Sequence, residues 1–365
     1  MSPHETLSPR TKKRRPSLRG ALAIAGLALG LGHAVGAGCA APFDPASLVN
    51  SLRILSVQLD QPYAQPGEEV SFTLTYFDGR DTGGEFTPVQ IVWLGGCVNP
   101  PGNQYYNCYE QLAELFASFS GGGPPPSELV GIGPSFTTRV PDDILTSLAE
   151  PPVPPKLGTG FVFFAVCAGE LRPVEPEGDT AAGGFPLGCF DSEGRRLGPE
   201  SFIPGFSQYF VFEDERRNAN PEAGLTWNGE PIADGERIVV APCEVSAEER
   251  RQSGCAATDE FSVCTTYEFD VAVTDEVAEF EPDATDPEGK PLREVVWVSY
   301  LATGGDLESG SKLVSDASAG LLDDHGTVWV PPEEPGSHTI WAVVRDNRGG
   351  SRTLSVFVDV VEGGE

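Results

Sequence analysis

The densest run of side chains able to do chemistry is Glu276-Val-Ala-Glu279-Phe-Glu281-Pro-Asp283-Ala-Thr-Asp286-Pro-Glu288. Calcium takes roughly six to eight oxygen ligands, and carboxylates this close together on a loop between two strands can supply several of them. Glu281, Asp283, Asp286 and Glu288 are therefore the candidate ligands of a calcium site. The competing reading is a solvated acidic loop, which the irregular ligand spacing and the positive charge of Lys290 favour. His325 and His338 stand in neither a metal nor a triad spacing. Asp323-Asp-His325-Gly could offer an acid/base group to a hydrolase, but its place before Thr327-Val-Trp-Val reads as a solvated turn. Ser309-Gly-Ser-Lys312 matches a Ser-x-x-Lys nucleophile pattern in letters alone, without the helix that pattern needs. No nucleophile elbow, His-Glu-x-x-His helix or phosphate loop occurs in the sequence. The expectation is a protein that is not an enzyme, with an atypical hydrolase using His325 or the acidic loop as the remote alternative.

Aromatic and sulfur chemistry gather elsewhere. Tyr105, Tyr106 and Tyr109 lie in a long excursion after Cys97, where exposed rings could contact a glycan or a protein and buried ones would pack on a disulfide. Of the eight cysteines, local pairing is expected for Cys97 with Cys108, Cys167 with Cys189 and Cys243 with Cys264. Each pair closes a short loop worth about 2 to 4 kcal/mol. Cys255 is left over. Zinc held by Cys243, Cys255 and Cys264 is the alternative, but no histidine lies near them in sequence and an oxidising compartment favours disulfides.

Residues 1–38 read as an export leader. Lys12, Lys13, Arg14, Arg15 and Arg19 precede an apolar run over residues 21–31 that Ala and Gly dominate, which makes a poor permanent span. Gly36-Ala-Gly38 before Cys39 resembles a bacterial lipobox, with Gly36 where Leu is usual. That resemblance implies that Cys39 is lipidated, that residues 39–47 are a tether and that the chain is anchored to a membrane. The alternative is an ordinary cleaved leader with Cys39 left as a thiol or disulfide partner. One acyl chain gives marginal residence at about 0.8 kcal/mol per buried methylene, whereas several make anchoring effectively permanent. Ala40 in place of Asp implies, by resemblance to enterobacterial-type sorting, the outer membrane of a bacterial envelope.

The formal charge of the whole chain is -30, and the leader carries six basic residues and one acidic, so the remainder of the chain is still more acidic. Such a surface repels nucleic acid and anionic lipid headgroups, which disfavours a polyanion-binding role and excludes nucleic acid as a partner; an envelope or surface protein or polysaccharide is expected instead. With 33 Pro and 43 Gly among 365 residues, loop-rich β structure in two domains is the natural arrangement.

The elements that must position these residues follow from period-two alternation. Leu52 to Leu59 and Val70, Phe72, Leu74 and Tyr76 read as half-buried strands, and Phe161-Val-Phe-Phe-Ala-Val166 as a strand buried on both faces. The first domain is placed at 48–213, with 97–158 as an insertion outside its core. Within that insertion, Cys108, Leu112, Leu115, Phe116 and Phe119 recur at helical spacing, and a second short helix is expected after Pro141. Ser246-Ala-Glu-Glu249 is a capping-box pattern and predicts a further helix of one or two turns. The second domain, 218–361, echoes the first three times in order. Pro231-Ile-Ala-Asp-Gly235-Glu236 echoes Pro62-Tyr-Ala-Gln-Pro-Gly67-Glu68, Val295-Val-Trp297 echoes Ile91-Val-Trp93, and Gly336 to Val344 echoes Gly160 to Val166.

Thr285-Asp-Pro-Glu-Gly289-Lys-Pro-Leu292 before a Trp-bearing strand, Thr327-Val-Trp-Val-Pro331, and Arg345-Asp-Asn-Arg-Gly-Gly350 look like the second half of a PKD-type immunoglobulin-like domain. The layout as a whole is similar to bacterial cell-surface lipoproteins with tandem domains of that type. The resemblance implies an all-β protein of two immunoglobulin/PKD-like β-sandwiches displayed outside the cytoplasm, and it carries no catalytic residues. The function expected is display of β-sandwich modules for protein binding or envelope assembly, with an accessory carbohydrate- or matrix-binding module as the alternative.

Overall fold

The computed structural model describes residues 44–80, 88–119, 126–151, 155–174, 185–250, 261 and 263–363. The leader, Cys39 and Cys255 lie outside the described residues. In the first half the alternating stretches form β1 (Leu52–Leu59), β2 (Tyr63–Ala64), β3 (Glu69–Asp78), β4 (Gln90–Val98), β5 (Val130–Ile132), β6 (Ser135–Arg139), β7 (Leu157–Cys167), β8 (Glu170–Pro173), β9 (Leu187–Phe190) and β10 (Phe202–Phe212). One sheet has the order β1-β3-β6 and the other β2-β10-β7-β4-β5, with β2 joining β10 in parallel. Phe72, Trp93, Phe136 and Phe164 fill the space between them, and the indole N–H of Trp93 donates to the Gly133 carbonyl at 2.8 Å.

Two expectations about the excursion over 97–158 change. Its residues 130–139 supply β5 and β6, one strand to each sheet, and Phe136, Val140 and Ile144 belong to the core. The two strands are short and separated by Gly133 at φ 98°, so the composition of the surrounding loops masks them. The stretch after Pro141 forms turns and no helix, because the Asn99 side-chain amide takes the Ile144 carbonyl at 2.7 Å. The other helical pattern is α1 (Tyr109–Phe119).

The second half forms β11 (Gly224–Trp227), β12 (Glu230–Ile232), β13 (Glu236–Val240), the short helix α2 (Ala247–Arg250), β14 (Tyr267–Ala272), β15 (Phe280–Thr285), β16 (Pro291–Arg293), β17 (Val296–Ala302), β18 (Asp306–Leu307), β19 (Ser311–Asp316), β20 (Gly320–Leu321), β21 (Thr327–Val330), β22 (Gly336–Asp346) and β23 (Ser351–Val360). Its sheets run β12-β11-β14-β21-β18 and β13-β23-β22-β17-β19-β20. The second of these repeats the first sandwich's β2-β10-β7-β4-β5: a parallel strand, then a long hairpin, then the Trp-bearing strand and its partner. One echo is a shared turn. Gly67 and Gly235 both have positive φ, and Glu68 and Glu236 each accept a backbone N–H three residues back at 2.8 Å. The Trp echo is out of phase. Trp93 points into its core, whereas Trp297 alternates with the fully buried Val296 and Val298 and faces the other way. Trp329 on β21 fills the second core instead, donating to the Gly304 carbonyl at 2.9 Å.

The sandwiches share a buried seam. Val49, Leu55, Trp341 and Val343 form one cluster with Phe77 and Leu301 against it. Ser56 and Thr353 hydroxyls meet at 2.6 Å, and Arg345 donates to the Leu55 carbonyl. The connecting segment is tied to both sides. Arg217 grips Glu68 with two bonds of 2.7 Å, and Asn220 donates to Leu59 O at 2.7 Å while accepting from Ser351 N–H at 2.9 Å.

Candidate functional site

A bulge at Gly95-Gly96 in β4, with Gly96 at φ 90°, turns Cys97 toward the outer face of its sheet. There Cys97 bonds Cys108, with the two Cα atoms 5.8 Å apart, and the 3-10 turns between them lead directly into α1. Leu112 of α1 packs with Cys108 on Phe161, Phe163 and Ala165 of β7, which explains why that strand is apolar on both faces. The second disulfide, Cys167–Cys189, ties β7 to the β8–β9 ribbon, and the third joins Cys243 to Cys264.

This bracing leaves an aromatic platform at the surface. Tyr105 stacks on Phe206 of β10 with centroids 4.4 Å apart and planes 20° apart, and Tyr106 meets Tyr105 edge-on at 5.7 Å. All three rings are about two-fifths exposed, Tyr105 and Tyr106 at 38% and Phe206 at 40%. Tyr109 lies beneath, against Phe163 and Phe185, and burial pushes its hydroxyl pKa up. Tyr105 and Tyr106 thus belong to a surface and Tyr109 to its support. Phe206 belongs with them although its sequence position, inside a strand after Pro204-Gly205, gives no sign of it.

The four expected calcium ligands are not brought together. Glu281 accepts from Arg348 Nε at 3.1 Å, and Asp283 accepts from Arg216 at 2.7 Å. Asp286 closes its own turn by accepting the N–H groups of Glu288 and Lys290 at 3.0 and 2.8 Å, and Glu288 is exposed. Among the described residues no group of three or more acidic, His or Cys side chains could hold a metal ion. The carboxylates are dispersed because the β15–β16 pairing is irregular between Phe280 and Thr285 and Asp286 folds back on its own turn, so each acid meets a different partner.

The acidic stretch instead feeds a buried charge cluster. Arg348 is 5% exposed and reaches Glu279 at 3.1 Å, Glu281 at 3.1 Å and Glu294 at 3.4 Å. Asp346 accepts the N–H groups of Arg348 and Gly350 through Oδ1 and the Asn218 side chain through Oδ2. Glu294 is 1% exposed; its Oε1 accepts the Glu279 N–H at 2.9 Å, and its Oε2 has no hydrogen-bond partner among the described residues. Burial pushes its carboxyl from 4.5 up to about 7.

His325 is not the solvated turn expected. Its Nδ1 lies 2.7 Å from Asp270 Oδ1, and the Tyr300 hydroxyl donates to the His325 carbonyl at 2.8 Å and to Asp270 at 3.2 Å. The Asp270 bond raises the imidazole pKa. The pair is positioned by β14 and the turn before β21, and it ties one side of the second sandwich together. His338 is half-buried, and burial lowers its pKa. No signal in the sequence links residues 270 and 325, or 294 and 348.

No family model matches the chain, and no curated protein matches it. Among solved structures, the fibronectin(III)-like modules of Clostridium thermocellum CbhA are 12% identical over 85% of this chain and 94% of theirs, at a TM-score of 0.20. The D0-D1 domain of intimin is 11% identical over 84% and 98%, at 0.19. A nucleoside hydrolase-related hypothetical protein from Saccharophagus degradans, associated with carbohydrate metabolism, is 12% identical over 39% of this chain at 0.21, and the chain spans 26% of it. The class rests on the strand order and pairing themselves: an all-β protein of two immunoglobulin-like sandwiches. Three disulfides suit an oxidising, extracytoplasmic setting.

Proposed function

We propose that this chain is a non-enzymatic, lipid-anchored envelope protein of PKD-like modules that offers the Tyr105–Tyr106–Phe206 platform to a protein partner. The observation that carries the reading is the exposure of three contiguous rings on a disulfide-braced support. Aromatic rings dominate the centres of protein interfaces, and a platform already held in place loses little entropy on binding. Cys39 would carry the lipid and the outer membrane would be its destination. The test is in-cell cross-linking of the epitope-tagged protein followed by partner identification. A protein partner captured by the native chain, and lost on changing Tyr105 and Tyr106 to Ala, supports the reading; capture that persists in that variant refutes it. Cys39→Ala tests the anchor, and continued fractionation with membranes would end that part of the proposal. The flat Tyr105–Phe206 stack also suits the apolar face of a sugar ring. Glycan-array binding that depends on Tyr105, with no protein captured, would replace the protein partner by a carbohydrate.

A further inference from the structure

Most described Arg and Lys side chains of this acidic protein are paired with a carboxylate, as in Arg80–Asp78, Arg217–Glu68, Arg237–Asp359 and Lys312–Asp324. Lys290 and Arg293 depart from that pattern together, on one groove of about 290 Å3. Arg293 is fixed by backbone oxygens, donating through Nη1 to Asp275 O at 2.7 Å and Ala278 O at 2.8 Å. Its guanidinium lies 4.2 Å over the ring of Phe280, its strand partner, and that ring is 55% exposed. Lys290 donates to Ser318 O at 3.1 Å, which leaves two ammonium donors for another acceptor. The opposite wall is a turn made rigid by Asp316, whose Oδ1 accepts the N–H groups of Ser318 and Ala319 at 2.9 Å each. Asp275 is the acidic side chain of the lining.

We infer that this groove takes a hexuronate residue of an acidic polysaccharide, with its carboxylate on Lys290 and Arg293, its ring face on Phe280 and a hydroxyl on Asp275. A bound anion answers these two cations, which make no ion pair with a carboxylate among the described residues, and it does so locally, against the repulsion that the overall charge of -30 sets up for a polyanion. The exposed ring asks for an apolar face, and Asp275 asks for a donor. A uronate carries all three in one rigid unit, whereas an acidic peptide side chain has no flat face for Phe280 and meets Asp275 as a like charge. The site is separate from the tyrosine platform and does not depend on it.

The experiment is calorimetric titration of the purified chain with an oligogalacturonate, its methyl-esterified form and an aspartate-rich peptide. The free acid binds and weakens with added salt, the methyl ester binds at least about tenfold more weakly, and Lys290→Glu reproduces that loss without changing the melting temperature. Phe280→Ser weakens the free acid too, while Tyr105→Ala leaves it unchanged. The inference is overturned if the free acid fails to bind, if ester and acid bind alike, if Lys290→Glu binds as well as the native chain, or if the peptide competes equally.

Discussion

Glu294→Gln should remove a fall in stability of roughly 3 kcal/mol that the native protein undergoes as pH rises from about 4.5 to 7. Glu294 is 1% exposed, its Oε2 has no hydrogen-bond partner among the described residues, and burial raises its carboxyl from 4.5 to about 7 in the folded chain. The folded state therefore holds a proton that the unfolded state has released throughout that window, so stability is greatest below about 4.5 and falls as pH rises through 7. At about 1.36 kcal/mol per pH unit the rise corresponds to roughly 3 kcal/mol. The Gln amide keeps the shape and an acceptor for the Glu279 N–H, and Arg348 retains Glu279 and Glu281 as counter-charges. At pH 8 the variant should accordingly be the more stable protein by about 2 to 3 kcal/mol, and at pH 4 the two should be close. Urea unfolding followed by the fluorescence of the buried Trp93, Trp227 and Trp329, with disulfides intact, measures both. Other carboxylates titrate in the same range, but they are common to both proteins and cancel in the difference. An unchanged pH slope, or a variant less stable at pH 8, would refute the assignment of Glu294 as the buried acid that titrates.

Replacing Cys97 and Cys108 by Ser should lower stability by about 2 to 4 kcal/mol in the same assay and release Tyr105 and Tyr106 from their fixed orientation, read as faster proteolysis within residues 97–108. Trp341→Ala removes the largest side chain of the seam and should cost about 3 to 5 kcal/mol, turning a single calorimetric transition into two. Asp270→Asn should lower the His325 pKa, measured by NMR titration. Because that pKa is raised in the native chain, its contribution to stability is complete below about 6.5 and is lost as pH rises past the raised value; the variant should lack this part of the slope.

The features legible from sequence were local. Period-two alternation locates β3, a continuous apolar run locates β7, helical spacing locates α1, and cysteines 11 to 22 residues apart pair locally. The failures share a cause. Whether Trp297 faces in or out turns on a one-residue shift of strand register, which a matching Val-Trp pair does not determine. The acidic run looks like a ligand cluster until its ribbon pairing sends neighbouring carboxylates to Arg216 and Arg348, which lie 67 residues away in opposite directions. Asp270 and His325 meet across 55 residues, and Phe206 reaches Tyr105 from another strand. Each is a tertiary contact between positions whose local patterns are complete without it.

The seam between the sandwiches bears on how the chain would carry load. Before entering β1 of the first sandwich, the segment at Ser47–Val49 pairs with β17 of the second: Ala302 N–H donates to Ser47 O at 2.9 Å, and Val49 N–H donates to Ala302 O at 2.8 Å. Val49 is then buried with Leu55, Trp341 and Val343. Force applied at the amino-terminal end would therefore meet both sandwiches at their junction before it could peel β1 from β3. Pulling would have to break a two-bond clamp and expose apolar surface at the same step, which couples the modules mechanically through the residues that couple them thermodynamically. The clamp at Ala302 and the shared core around Trp341 thus make the two sandwiches one load-bearing unit, which two freely jointed modules would not be.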